Sequence, residues 1–415
     1  MPIPAAQLFD AASPEAAGFS AARLDGLGAL LRADVDGGVI PGAVVLIVRR
    51  GRVALFDAYG YADRPAGRPM RRDSLFRIAS MTKPLTTTAA LMLMERGELL
   101  LADPVWRYLP ALRDVKVGVE DTDPTGQRRL TLHACRRAMT IHDLMRHTAG
   151  FTYGQFGDSL VHRACRAQNL MDQQQTNAEM TAKLALVPLA HQPGTTFEYG
   201  MSTDVLGHVV EAVSGMELDR FFAEHITGPL GMADTAFAIH PGDEHRLAEP
   251  HRDAAQAGAP GLAPHGPRRP ARWYSGGGGL LSTAADYSRF VQMLLNDGEF
   301  AGVRLLARKT VQFMLQNHLP SSLAYGHHTA ELGVAAPLPQ LGQGYGLGVG
   351  VRIHAGLSPV PGSVGDFCWG GALGPYFWGD PAETLSVVFM LAELNLQVRT
   401  RYRSLLRALV YQALD

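Results

Sequence analysis

Lysine is scarce in this chain: Lys83, Lys116, Lys183 and Lys309 are the only four among 38 basic residues, the rest being arginine. One of them stands three positions after a serine, in Ser80-Met81-Thr82-Lys83. With sixteen serines and four lysines in 415 residues, such a pairing arises by chance about 0.15 times, so the match is informative without being sufficient. A serine hydroxyl attacks only when a base takes its proton, and a lysine is that base only if its pKa falls from about 10.4 towards about 7 to 8. Burial at a helix start has this effect, because the positive end of the helix dipole disfavours an ammonium. The same four residues also suit a serine N-cap with its lysine in water, and local sequence leaves both readings open.

The pair needs a helix to hold it. Ser74–Ala79 leads into a pattern rich in Ala, Leu and Met from Met81 to Arg96 that stops at Gly97, and a spacing of three puts Ser80 and Lys83 on one helical face, about 5 to 6 Å apart at Cβ. Pro84 is tolerated in the first turn, which has no backbone hydrogen bond to lose, although it strains the helical conformation of Lys83.

Around that helix the chain organises itself by pattern. Ser20 to Asp34 sets Leu24, Leu27, Leu30 and Leu31 on one helical face. Ala43–Val48 and Val53–Tyr61 read as a hairpin about a turn at Arg49 to Arg52. Further strands are expected at Gly346–Ile353, Asp366–Trp369 and Leu385–Leu391, then a last helix from Val398 to Leu414 with Leu405, Leu406, Leu409 and Val410 inward and its arginines outward. Helical patterns recur between, at Thr140–Met145, Thr203–Val213, Leu218–Glu224 and Ala284–Leu295. The expected architecture is α/β: an antiparallel sheet domain from 1-75 plus 275-415, a mainly helical lobe at 76-274, and a site at their junction. The long stretch Pro241–Arg272, rich in Pro, Gly and Ala, is of a length that usually serves function or moves.

Composition narrows the partners. A hydrophobic fraction of 47% with 19% charged residues fits an ordinary soluble globular protein, and 38 basic against 39 acidic side chains give no electrostatic footprint for nucleic acid or an anionic membrane. A small-molecule ligand is expected, with oligomeric state left open. Three cysteines without paired spacing (Cys135, Cys165, Cys368) suggest neither a disulfide framework nor a zinc cluster. No secretory signal is visible over Met1–Pro14 and the longest apolar run, Val39–Val48, is too short to span a bilayer; the expectation is a cytoplasmic protein, or a periplasmic one had a leader been removed. Other chemistries find little support. No Gly-x-Ser-x-Gly elbow exists. His142 and His147 lack the zincin order, and His327-His328 is an isolated loop pair. Gly276–Gly279 reads as a tight turn rather than a phosphate cradle, and Thr283 with Asp286 as a capping box. No metal or cofactor is expected.

Leu75-Phe-Arg-Ile-Ala-Ser-Met-Thr-Lys-Pro84 resembles the nucleophile region of serine hydrolases related to class C β-lactamases and penicillin-binding proteins, above all the family VIII carboxylesterases. The likeness continues through Leu144–Phe151, Pro193–Tyr199, Pro229–Met232, Gly276–Leu280 with Ser282–Asp286, Trp369-Gly-Gly371 and Tyr376-Phe-Trp378, from about Ser20 to the end. It implies the β-lactamase-like fold and ester hydrolysis through an acyl-enzyme, with Ser80 as nucleophile and Lys83 and Tyr199 passing its proton to the leaving alkoxide. It also implies the backbone N–H groups of Ser80 and Ala372 as oxyanion hole, with Tyr153 lining the pocket. Where the family has Tyr-x-Asn this chain has Tyr199-Gly200-Met201, and where β-lactamases have Lys-Thr-Gly it has Trp369-Gly370-Gly371. An indole in place of an ammonium, Met201 in place of an amide, and Tyr376 and Trp378 nearby imply an apolar, uncharged pocket for short-chain esters, with Gly370 and Gly371 letting substrate lie against the strand. Arg268, Arg269 and Arg272 are the residues that would return a cation to it. The same fold also serves β-lactamases, D-amino acid amidases and peptidases, and non-catalytic penicillin-binding-like interaction proteins.

Overall fold

The computed structural model describes residues 13–250 and 271–415. Its frame is one antiparallel sheet. The chain contributes β1 (Gly42–Arg49), β2 (Arg52–Asp63) and β3 (Arg68–Pro69) early, then β4 (Gln343–Tyr345), β5 (Gly350–Arg352), β6 (Phe367–Gly370), β7 (Tyr376–Asp380) and β8 (Leu385–Leu391) late. The strand order is β4-β5-β6-β7-β8-β1-β2-β3, so the two ends of the sequence meet where β1 pairs β8 in the register Val45↔Phe389. Every residue of β1 and of β8 is buried, which is why both read as unbroken apolar runs: helices cover both faces.

One face carries α1 (Ala21–Asp36) and the last helix; the other carries helices of the intervening chain. These are α2 (Lys83–Glu95), α3 (Ile141–Met145), α4 (Ser202–Ser214) and α5 (Ala284–Leu295), followed at the C-terminus by α6 (Leu396–Tyr411). α2 is buried on all sides from Lys83 to Leu93, packs on α4, and is the core of this helical layer. α5 lies against β1, β7 and β8, and its Tyr287 hydroxyl donates to the Met81 carbonyl at 2.8 Å, anchoring the turn that carries Ser80. No helix among the described residues is long and apolar enough to cross a membrane.

Several expectations are corrected here. Of the strand expected over Gly346–Ile353 only Gly350–Arg352, β5, forms; Gly346–Gly348 is the turn that joins it to β4, with Gly348 at φ +78°. The stretch Tyr376–Asp380, read for its aromatics, is itself strand β7. On α6 only Arg401 of the four arginines faces out as expected: the buried stripe is Arg399, Tyr402, Arg403, Leu406, Arg407 and Val410, while Leu405 and Leu409 are only half-buried. Arg407 is accommodated by Asp366 at 2.8 and 3.2 Å and by the Tyr376 hydroxyl at 3.0 Å, and Asp366 also takes Arg352 at 2.7 Å. The expected capping box at α5 is half formed. Thr283 accepts from the Asp286 N–H, but the Asp286 carboxylate turns away to the Asp234 N–H and the Thr235 hydroxyl.

Candidate active site

Ser80 sits on a single 3-10 turn, Ala79–Thr82, that runs into α2 at Lys83. The residue before it, Ala79, has φ +45°, a left-handed conformation that a side chain resists and that surrounding structure must hold. Ser80 is half-buried and opens into a cavity of about 450 Å³. Lys83 is fully buried behind it, and the spacing seen in the sequence becomes a 3.2 Å contact between Lys83 Nζ and Ser80 Oγ.

The rest of the lysine's environment is built by distant segments. Its ammonium nitrogen lies 2.7 Å from the Gly277 carbonyl oxygen and 3.2 Å from the Tyr153 hydroxyl. The Tyr153 hydroxyl in turn donates to Asp204 Oδ2 at 3.3 Å, and Asp204 also receives Ser275 Oγ and the Gly277 N–H. Gly276–Gly279 is thus a turn, as expected, with a particular duty: a Cβ on Gly277 would stand 2.3 Å from the Asp204 carboxylate, so only glycine lets this backbone serve Asp204 with its N–H and Lys83 with its carbonyl. Burial pushes the Asp204 carboxyl up, opposed by the Lys83 charge and these hydrogen bonds. Burial and the nearby Asp204 also push the Tyr153 phenol well above its usual 10, so Tyr153 stays protonated and its oxygen is free to accept from Lys83.

Tyr199 enters from the other side. Its ring centroid is 4.6 Å from Lys83 Nζ, and its hydroxyl oxygen accepts from Trp369 Nε1 at 3.3 Å. His147, fully buried and pressed on the Tyr199 ring at 4.8 Å, is held neutral by burial and by Lys83, which makes it part of the wall. Beside Ser80 runs the turn after β6. The Gly371 N–H donates to Pro375 O at 2.7 Å and the Gly374 N–H to Gly371 O at 3.2 Å, whereas the N–H groups of Ser80 and Ala372 donate to no described residue.

Ser80, Tyr153, Tyr199, Trp369, Gly370, Gly371 and Ala372 line the cavity, with Lys83 directly behind it. Three other candidates do not. Met201 is buried at the N-cap of α4 and is not among the residues that line the cavity. Tyr376 and Trp378 are fully buried beneath α6: side chains alternate along a strand, so with Trp369 paired to Phe377 on the cavity side, Tyr376 and Trp378 point to the opposite face. The room next to Gly370 and Gly371 is also taken. Added Cβ atoms would meet Arg403 Nη2 at 2.6 Å and the Ile78 carbonyl at 2.5 Å, so on that side these glycines admit neighbouring groups, while both still line the cavity. The pocket is not uncharged either, since Arg77, Glu331, Arg399 and Arg403 line it. Of the arginines expected to supply charge, Arg268 and Arg269 lie outside the described residues, and Arg272 is paired with Glu179 at 2.9 Å, away from the cavity.

Sequence reading missed Asp204, Ser275, Phe156 and the α6 arginines. His328, dismissed as part of a loop pair, stacks on Phe156 at 4.1 Å, and the two rings form a wall shared with a second cavity of about 460 Å³ lined by Glu120, His162, His191 and Glu198. Among the described residues no cluster of three or more His, Cys, Asp or Glu is placed to hold a metal ion.

A family model described as Beta-lactamase matches residues 27–412. Protein Rv1367c of Mycobacterium tuberculosis (strain ATCC 25618 / H37Rv) is 38% identical over 375 residues, covering 89% of this chain and 90% of its own. Esterase EstB of Burkholderia gladioli is 30% identical, over 84% of this chain and 85% of its own. Among solved structures, EstCE1, described as a hydrolase with promiscuous acyltransferase activity, superposes with a TM-score of 0.75 at 29% identity, covering 94% of this chain and 98% of EstCE1. The chain belongs to the Beta-lactamase family.

Proposed function

We propose that this member of the Beta-lactamase family is a serine esterase that cleaves short-chain carboxylic esters through an acyl-enzyme. The observation that carries the proposal is the buried Lys83 amine, 3.2 Å from a cavity-facing Ser80 hydroxyl and fixed from behind by the Gly277 carbonyl and Tyr153. A neutral amine has two hydrogens and one lone pair. Once Lys83 has given up its third proton and its two hydrogens go to Gly277 O and Tyr153, the lone pair is left for Ser80 and can take its proton as the hydroxyl attacks the ester carbonyl. The N–H groups of Ser80 and Ala372 receive the oxyanion, each worth about 2.7 to 4 kcal/mol in the transition state. Tyr199, whose oxygen already accepts from Trp369, is left with its own proton to give the departing alkoxide. Water, admitted by the same cavity, then hydrolyses the acyl-serine with the roles of base and acid reversed.

The resemblance to EstB supports the ester as substrate class. Trp369 in place of an ammonium costs a β-lactam carboxylate one charge-assisted hydrogen bond at that position, worth about 1.5 to 3 kcal/mol, although Arg77, Arg399 and Arg403 still line the cavity. The test compares kcat/KM for p-nitrophenyl butyrate and nitrocefin. The proposal expects the ester to be preferred; nitrocefin ahead by more than about tenfold, or about 1.4 kcal/mol, replaces the esterase by a β-lactamase. A second reading, transfer of the acyl group to an alcohol, is favoured by the likeness to EstCE1 and differs only in which hydroxyl accepts the acyl group.

A further inference from the structure

Two guanidinium groups lie directly behind the turn that bears the Ala372 N–H. Arg403 Nη2 donates to the Gly371 carbonyl oxygen at 3.0 Å, and Arg399 Nη1 donates to the carbonyl of Ala372 itself. The Gly371 carbonyl and the Ala372 N–H are the two ends of one peptide group, so a cation on the carbonyl end pulls electron density away from the N–H end. Arg403 packs against Gly370, where a Cβ would lie 2.6 Å from Nη2, and near the Tyr376 ring, whose centroid is 5.7 Å from its Cζ.

The arrangement is costly in electrostatic terms. Arg407, one turn further along α6, has an ion pair with Asp366, which it shares with Arg352. Arg403 makes no ion pair among the described residues, is 7% exposed, and leaves its Nε without a hydrogen-bond partner; Arg399 also has an unpartnered Nε. A buried cation without a counter-ion destabilises a fold, and such groups concentrate where a site uses the charge. Here the charge has an evident use, because the cavity is where an oxyanion would develop.

We propose that Arg403, seconded by Arg399, positions and polarises the Gly371–Ala372 peptide so that the Ala372 N–H is a stronger oxyanion donor than an ordinary backbone amide. The inference rests on the reading of Ala372 as an oxyanion donor. Arg403 is then a positioning residue, acting on the oxyanion through the peptide whose carbonyl it holds. Hydrogen bonds in a chain strengthen one another, and in a low-dielectric site a fixed charge acts on the transition state with little screening. The competing use of the same cations is a subsite for a carboxylate on the substrate, and the two uses give opposite kinetics.

The test measures kcat and KM separately on p-nitrophenyl butyrate, which is neutral, and on a butyrate ester carrying a carboxylate. For Arg403→Gln, which keeps a donor but loses the charge, kcat on the neutral ester is expected to fall about tenfold with KM within about twofold, and Arg403→Lys, which restores the charge, is expected to recover most of the loss. If Arg403→Gln folds poorly by circular dichroism, Arg403→Met takes its place with the same expectation. A rise in KM confined to the anionic ester, or kcat within about twofold of wild type on both, overturns the proposal. Ala372→Pro, which deletes the N–H, separates this inference from the reading beneath it. Unchanged kcat in Ala372→Pro removes Ala372 as a donor. A collapse there beside an unaffected Arg403→Gln removes only the polarising role, and in the Ala372→Pro background Arg403→Gln is expected to cost less than about threefold more.

Discussion

The indole N–H of Trp369 donates to the hydroxyl oxygen of Tyr199 at 3.3 Å, between two side chains 170 positions apart in the sequence. This contact gives the tryptophan a second meaning. It removes a cation from the cavity wall, and it also supplies a donor to the phenol oxygen on which negative charge would collect if Tyr199 gave up its proton. Trp369→Phe keeps the aromatic wall and deletes that donor. Its kcat on a neutral ester is expected to fall about tenfold with little change in KM, against a fall of 10² or more for Tyr199→Phe, in the range of general acid–base catalysis. Equal activity in wild type and Trp369→Phe would show that the hydrogen bond is packing alone.

Gly277 joins the two ends of the buried polar network, and its substitution tests that network without touching an ionisable group. The Cβ of Gly277→Ala would sit 2.3 Å from Asp204 Oδ2, forcing the backbone off both Asp204 and Lys83. Gly277→Ala is expected to lose at least tenfold in kcat and about 2 kcal/mol of stability, in the range set by overpacking, read by ester kinetics and denaturant titration. A wild-type rate in a stable variant would separate Asp204 from the positioning of Lys83.

Acid should weaken the fold through Asp143. Burial alone would raise this carboxyl, but Arg137, Thr140 and Thr148 hold it at about 2, with Arg137 Nη2 at 2.9 Å and Arg146 Nη2 at 3.2 Å. A folded-state value below the ordinary carboxyl value means that the unfolded chain binds the extra proton, so the stabilisation is fully present above about pH 4 and is lost as pH falls towards 2. The size is about 2 kcal/mol. Asp286 runs the other way: burial lifts it to about 6, so its contribution is present below about pH 4 and fades as pH rises through 6. The difference in unfolding free energy between wild type and Asp143→Asn should therefore shrink from pH 6 to pH 3. A pH-independent difference would contradict the assignment.

What the sequence made legible follows from periodicity and local motifs. β1 and β8 could be read because strands buried on both faces are continuous apolar runs, and Ser80 with Lys83 because the contact lies within one turn of chain. Parity was harder. Tyr376 and Trp378 looked like pocket residues until β7 placed them a half-period away from Trp369, since alternation is visible only once the strand is known to be one. The α6 arginines resisted for a different reason. A polar residue at a helical position normally marks the solvent face, and Arg403 breaks that rule because its partners, Gly371 O and the Tyr376 ring, come from a turn and a strand far from α6 in the sequence. Asp204 was equally hidden, its partners Tyr153, Ser275 and Gly277 coming from two segments distant from it in the sequence.

The cavity beside Ser80, at about 450 Å³, holds more than a butyryl group. An alcohol present in molar excess should therefore compete with water for the acyl-enzyme. In aqueous methanol or butanol the ratio of transferred ester to free acid is expected to exceed the molar ratio of alcohol to water, measured by chromatography of the products. A product ratio no higher than that molar ratio would confine the chain to hydrolysis.

Covalent labelling addresses the central claim most directly. A fluorophosphonate probe incubated with the protein, then peptide mass mapping, is expected to place one adduct on Ser80 and none elsewhere, with labelling and ester turnover both abolished in Ser80→Ala and both strongly reduced in Lys83→Met. An adduct on any other residue, or turnover that survives Ser80→Ala, would contradict the account.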